Sequence, residues 1–196
     1  MSTAPEPGTV LVVSASPRVG SRPEWLGEYV TGLLTDVGCR THHLRVRDLP
    51  PEALVHAEVS DPELVRACAA VDSAEGLVLI TPIYRAAYSG LLKLFLDALP
   101  RHAMAGKTVM PLATGGSPAH VLALDYTLRP VAQTMGARHV VRGHFVQDDD
   151  LPRRQGRIEP AARTEAAVGA AVSVFHRALL QGAHPAAAAE PWNVRA

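Results

Sequence analysis

The chain is poor in cysteine, carries no excess charge and has no long apolar run. Only two cysteines occur in 196 residues, Cys39 and Cys68. They form no C-x-x-C pair, which excludes a dithiol redox motif and leaves both as small, buried apolar residues. Nineteen basic residues balance nineteen acidic ones. That balance excludes the basic footprint of a nucleic-acid or anionic-membrane binder, and the acidic surface of an electron carrier that docks by charge. No apolar stretch approaches the roughly 20 residues of a membrane span. The segment Met1–Gly8 is Pro-rich and lacks the apolar core of a signal peptide. No strand is followed by Gly-x-Gly-x-x-Gly, which argues against a dinucleotide wrapped on a Rossmann turn. The nine histidines match no metal-ligand spacing, and three adjacent aspartates, Asp148–Asp150, cannot all face one ion. A cytoplasmic protein without a metal is the expectation.

What remains is an ordinary globular composition, 47% hydrophobic and 19% charged. It suits one domain over residues 1–196, with an ordered core over about 9–181. The stretch 182–196, with Pro185, Pro191 and a run of alanines, reads as a mobile tail. Continuous apolar runs at Val10–Val13, Leu77–Ile80 and Thr108–Ala113 predict strands covered on both faces. Cys39–Val46 predicts an edge-side strand and Arg138–Val146 a fifth. Helical spacing places helices from Trp25 to Leu34, over Glu63–Val71, Ser89–Leu99, Ala119–Met135 and Ala161–Leu180. Pro50–Pro62 reads as irregular and Gln147–Arg157 as a solvated loop. Five alternations of strand and helix call for a doubly wound, five-stranded parallel sheet with helices on both faces.

Three loops follow three of those strands, at the sheet end where such folds bind ligands. The first holds Ser16, Arg18 and Ser21, two hydroxyls and a guanidinium suited to a phosphate at a helix N-terminus. Ser21 and Glu24 also read as a capping box, and Glu24 repels a phosphate from one turn away. The second loop is Thr81-Pro82-Ile83-Tyr84-Arg85, with the N–H groups of Tyr84 and Arg85 in reach of a ring's polar edge. The third is Thr114-Gly115-Gly116-Ser117, whose glycines let backbone approach a flat ring; Ser117 also reads as an N-cap. Together they suggest a phosphorylated planar cofactor, and flavin mononucleotide (FMN) fits best.

Pro130 falls inside the Ala119–Met135 pattern, where it cannot donate to the carbonyl of Tyr126 and clashes with it. A kink or a π-bulge relieves both problems. The apolar residues of this helix spread too broadly for one stripe, so part of it is expected to face another subunit.

Two longer blocks carry a resemblance. Thr81-Pro-Ile-Tyr-Arg-Ala-Ala-Tyr-Ser-Gly-Leu-Leu-Lys and Gly106-Lys-Thr-Val-Met-Pro-Leu-Ala-Thr-Gly-Gly-Ser-Pro-Ala-His resemble the NAD(P)H-dependent FMN reductase family. Within it the chain is most similar to the reductase component of two-component alkanesulfonate monooxygenase systems, over roughly Val10 to Val146. The resemblance implies a flavodoxin-like fold, a homo-oligomer (dimer or tetramer) and transfer of reduced FMN to a flavin-dependent monooxygenase in sulfonate sulfur assimilation. By position, Ser16, Arg18 and Ser21 would hold the phosphate, and Pro82, Ile83, Tyr84 and Arg85 would line the isoalloxazine. Thr114, Gly115, Gly116 and Ser117 would take its pyrimidine side. Tyr126, with Pro130, matches a position in a π-helical insertion at a tetramer interface, tied to flavin release. Ala15 stands where the family often has glycine, and Pro23 replaces a second serine.

No side chain is expected to act as acid or base, because hydride passes directly from NADPH or NADH to the flavin. Two alternatives stand beside this reading: a quinone or azo reductase with tightly held FMN, and a non-enzymatic flavin electron carrier.

Overall fold

The computed structural model describes residues 8–182. The expected tail, apart from Gly182, lies outside the described residues. In chain order the elements are β1 (Thr9–Ser14), α1 (Arg22–Asp36), β2 (Arg40–Arg45), α2 (Pro51–His56), α3 (Pro62–Ser73), β3 (Gly76–Tyr84), β4 (Ala87–Tyr88), α4 (Gly90–Ala98) and β5 (Thr108–Gly115). There follow a π-helical turn (Leu124–Leu128), α5 (Arg129–Thr134), β6 (His139–Val140), β7 (His144–Gln147), β8 (Arg153–Arg154), β9 (Arg157–Ile158) and α6 (Ala162–Gly182).

The parallel sheet runs β2-β1-β3-β5-β6, with β7 continuing the β6 line along β5. With β6 and β7 taken as one fifth strand, this is the 2-1-3-4-5 order of the flavodoxin-like doubly wound fold. Strand residues alternate between two cores. Val10, Val12, Val78, Ile80, Met110 and Leu112 pack with residues of α1 and α6 such as Leu26, Val30, Val172 and Phe175. Leu11, Val13, Leu77, Leu79, Val109 and Ala113 pack with α2, α3, α4 and α5. Burial on both faces explains why β3 and β5 read as unbroken apolar runs. No helix among the described residues is long and apolar enough to cross a membrane. Cys39 and Cys68 are free thiols, pushed up in pKa by burial.

Three expectations need correction. Pro50–Pro62 is not irregular throughout: Pro51 opens α2, whose Ala53 and Leu54 join the core. Proline at a first helical position starts a helix rather than breaking it. The fifth strand is not continuous but splits into β6 and β7. Val141 N–H donates to Val109 O, yet Pro111, two residues on, has no N–H to extend the ladder. Gly143 passes there because a Cβ would come within 2.8 Å of the Pro111 carbonyl. The Ala119–Met135 span is not one continuous helix: it opens with a 3-10 turn (Pro118–His120), carries the π-turn expected from Pro130 and closes as α5. Arg129 N–H reaches back to Leu124 O, the wide π register, and Pro130 falls in the first turn of α5. There its missing donor costs nothing. The Arg129 guanidinium then crosses to the carbonyls of Val140 (2.6 Å) and Val141 (3.1 Å), satisfying the backbone at the strand break.

Candidate functional site

All three predicted loops converge on one cleft of about 400 Å³. Pairing of Ser14 with Ile80, and of Pro82 with Thr114, brings the carboxyl ends of β1, β3 and β5 level. Ser16, Arg18 and Ser21 form one end of the cleft, Pro82, Ile83 and Tyr84 one wall, and Thr114, Gly115 and Gly116 the far side. Arg85 and Ser117 are not part of the lining. Arg85 and Ala86 are both left-handed (φ 52 and 62) and form the two-residue loop joining β3 to β4. Such a loop needs positive φ at both positions, so Arg85 sits at the hairpin tip, exposed and off the cleft lining. Ser117 Oγ instead accepts from Ala119 N–H as the cap of the 3-10 turn. His120, beside this loop, is half-buried, and its Nδ1 has no partner among the described residues.

The first loop is held from within and from below. Ser16 Oγ accepts from Arg18 N–H at 3.3 Å, and Ser21 Oγ caps α1 by accepting from Glu24 N–H. The capping box is only half made, because the Glu24 carboxylate accepts from Gly20 N–H rather than Ser21. Glu24 is buried, and Arg47 grips both of its oxygens, at 2.9 Å on the Oε2 side, with Arg45 at 3.0 Å. Arg47 also donates to Arg18 O. The Arg47 hydrogen bond, against the opposing effect of burial, holds the Glu24 pKa below the usual carboxylate range. The carboxylate that reads from sequence as an obstacle to phosphate is thus neutralised and structural. Arg47, missed in the sequence, is the residue that makes it so.

The second loop is tied to the first by two buried hydroxyls. Ser89 Oγ donates to Ala15 O at 2.7 Å while accepting from Leu92 N–H at the start of α4. Thr81 Oγ1 accepts from Ser89 N–H at 2.9 Å. Ser89→Ala removes a helix cap and leaves the Ala15 carbonyl unpaired, so a loss of about 1–2 kcal/mol is expected. That lowers the thermal midpoint by roughly 2–8 °C for a chain of this size. An unchanged midpoint in calorimetry would remove Ser89 from the account of loop position.

Three further charged residues line the cleft that sequence reasoning did not place there: Arg22, Asp148 and Arg153. Arg22 stands 3.8 Å from Asp148 and donates to Leu151 O. The segment expected as a solvated loop folds instead into the β8–β9 hairpin around Gln155 and Gly156, both at positive φ. The signal was present in Arg154-Gln155-Gly156-Arg157, since X-Gly suits a two-residue hairpin turn.

The lining fits a flavin monophosphate. One end offers the Arg18, Arg22 and Arg153 guanidinium groups, two hydroxyls and the N-terminus of the 15-residue α1. Pro82, Ile83 and the half-exposed Tyr84 give a flat apolar wall, and Thr114 to Gly116 give backbone opposite it. Tyr126 and Pro130 do not line this cleft; Tyr126 is 75% exposed on the π-turn.

A doubly wound sheet with a cationic loop and a planar apolar wall at its carboxyl edge defines a flavodoxin-like, flavin-nucleotide-binding protein. The chain belongs to the NADPH-dependent FMN reductase family, whose model matches residues 9–150. It is 36% identical over 170 residues to an FMN reductase (NADPH) of Escherichia coli strain K12, covering 87% of this chain and 89% of that one. It is 38% identical over 181 residues to an FMN reductase (NADPH) of Pseudomonas putida KT2440, covering 91% of each. Among solved structures it is similar to the apo form of the NADH:FMN oxidoreductase EMOB, at 41% identity and a TM-score of 0.80, over 87% of this chain and 89% of that one.

Proposed function

We propose that this member of the family is an NAD(P)H:FMN oxidoreductase that takes flavin as an exchangeable substrate and supplies reduced FMN to a partner monooxygenase, in sulfonate sulfur assimilation. The observation that carries the reading is the convergence of the three loops on one cleft with its cations gathered at one end. Bound there, FMN supplies a hydride acceptor for the nicotinamide. The chain's own work is to anchor the phosphate through Ser16, Arg18 and Ser21, to support the ring on Pro82, Ile83 and Tyr84, and to present backbone from Thr114 to Gly116. No acid or base is needed from the protein. The half-exposed Tyr84 and the exposed Val19 on the cleft lining favour exchange over permanent retention.

Steady-state oxidation of NADPH and NADH against FMN, FAD and riboflavin tests the reading. Turnover with FMN by a colourless protein supports it. A yellow protein that reduces quinones or azo dyes while keeping its flavin favours the tightly bound alternative, and no turnover with FMN favours the carrier.

Assembly is part of the proposal. Val121, Leu122 and Tyr126 form an exposed apolar group around the π-turn, which supports a contact between subunits there. Tyr126→Ala is expected to weaken the homo-oligomer and to change flavin retention. Sedimentation and a visible spectrum decide it: unchanged assembly with unchanged flavin content would reduce Tyr126 to a surface residue.

A further inference from the structure

The family match ends at residue 150, and the hairpin that follows brings a cation back to the cleft. Its base is fixed by Leu151, which is fully buried, and by the Arg22 bond to Leu151 O. Its tip is the tight Gln155–Gly156 turn, and Glu159 N–H donates to Pro152 O to close the other side. Successive strand residues face opposite ways. Arg154 accordingly points outward, 72% exposed and paired with Glu159 at 3.4 Å. Arg153, also exposed, stands on the cleft side, lines the cleft beside Arg18 and donates through Nη2 to the carbonyl of Gly20 in the phosphate loop.

Charge makes the placement meaningful. A phosphate monoester carries close to two negative charges at neutral pH. Arg18 brings one positive charge, while that of Arg22 is shared with Asp148 at 3.8 Å. A guanidinium has five N–H donors in a planar fork, so one that spends a single donor on a carbonyl keeps others for an anion beside it. Below the loop, Glu24 and Arg47 engage the Gly20 N–H and the Arg18 carbonyl, leaving Arg153 as the grip from the opposite end of the chain.

We propose that Arg153 is a second guanidinium ligand for the flavin's phosphate monoester, holding the Gly20 carbonyl and the phosphate at once. It is then a specificity residue for FMN over riboflavin, supplied by a segment that the family model does not cover. The inference rests on the FMN reading of the cleft, and its test separates the two. Flavin fluorescence is titrated without nicotinamide, using FMN and riboflavin, on the wild type, Arg153→Ala and Arg154→Ala. Arg153→Ala is expected to weaken FMN by about tenfold, the loss of one charged hydrogen bond, and to leave riboflavin within about twofold. Arg154→Ala, on the same hairpin but facing outward, is expected to change neither.

Equal weakening of both flavins by Arg153→Ala would mean that the hairpin merely shapes the cleft, and overturns the proposal. So would unchanged FMN affinity in Arg153→Ala when the wild type prefers FMN over riboflavin. Steady-state KM values for NADPH and NADH cover the other phosphate monoester in the reaction. A loss confined to NADPH would assign Arg153 to the nicotinamide cofactor's 2′-phosphate and sink the flavin assignment. A wild type that binds riboflavin as tightly as FMN would sink the phosphate reading of the whole cleft, and Arg153 with it.

Discussion

Arg18→Ala is expected to weaken FMN by about tenfold to a hundredfold, the equivalent of losing one charged hydrogen bond worth roughly 1.5–3 kcal/mol. Riboflavin, which lacks the phosphate, is expected to bind almost as before. The selectivity follows from how the loop is held. Its backbone is fixed by Ser16 Oγ on Arg18 N–H, by Glu24 on Gly20 N–H and by Arg47 on Arg18 O, none of which uses the Arg18 side chain. Truncating that side chain therefore removes charge without unravelling the loop. Titration of both flavins at low and moderate salt measures the effect; parallel losses for the two would show that Arg18 does not read the phosphate.

Acid is expected to destabilise the protein well before its carboxylates titrate. His43 Nε2 stands 2.9 Å from Ser14 Oγ, at the strand end that leads into the phosphate loop. Burial, the largest influence, pushes its pKa down from 6.5 to about 4. The folded ring stays neutral where the unfolded one takes up a proton. This contribution to stability is fully present above pH 6.5, declines as pH falls through the interval and is gone below about 4. At about 1.4 kcal/mol per unit the ceiling is about 3 kcal/mol, and solvent reaching the half-buried ring screens the contribution to a fraction of that. Glu24, whose pKa is lowered chiefly by Arg47, adds a loss below the usual carboxylate range. Urea unfolding at pH 7.5 and pH 4.5 is expected to show this decline in the wild type and a much shallower one in His43→Gln. Parallel declines would rule His43 out as the source.

The parts of this fold that sequence conveys are those where one local pattern meets one environment. β1, β3 and β5 are buried on both faces, so an apolar run is enough to find them, and their loops follow from position alone. Pro130 and Tyr126 betray the π-turn because a proline in a helical pattern admits few solutions. The losses have equally specific causes. Arg47 reaches Glu24 across 23 positions, a pairing no local spacing encodes. Arg153 reaches Gly20 across 133. Arg85 sits in the right motif but falls at a left-handed hairpin tip off the cleft lining, which residue type alone does not reveal. The split of β6 from β7 was written in Pro111, yet on the neighbouring strand rather than the one it interrupts.

That proline also shapes what the border of the sheet offers to another chain. An open sheet ends in unpaired backbone, a template on which another chain can add itself. Here one outer strand is cut into runs of two and four residues, with the Val140 and Val141 carbonyls at the cut taken by Arg129. The opposite border, β2, begins and ends in arginine, and its solvent-facing positions are polar. Neither margin offers a long, flat strip for strand-to-strand addition. Strand-to-strand growth into an open-ended fibre is thus resisted by a residue that is itself buried.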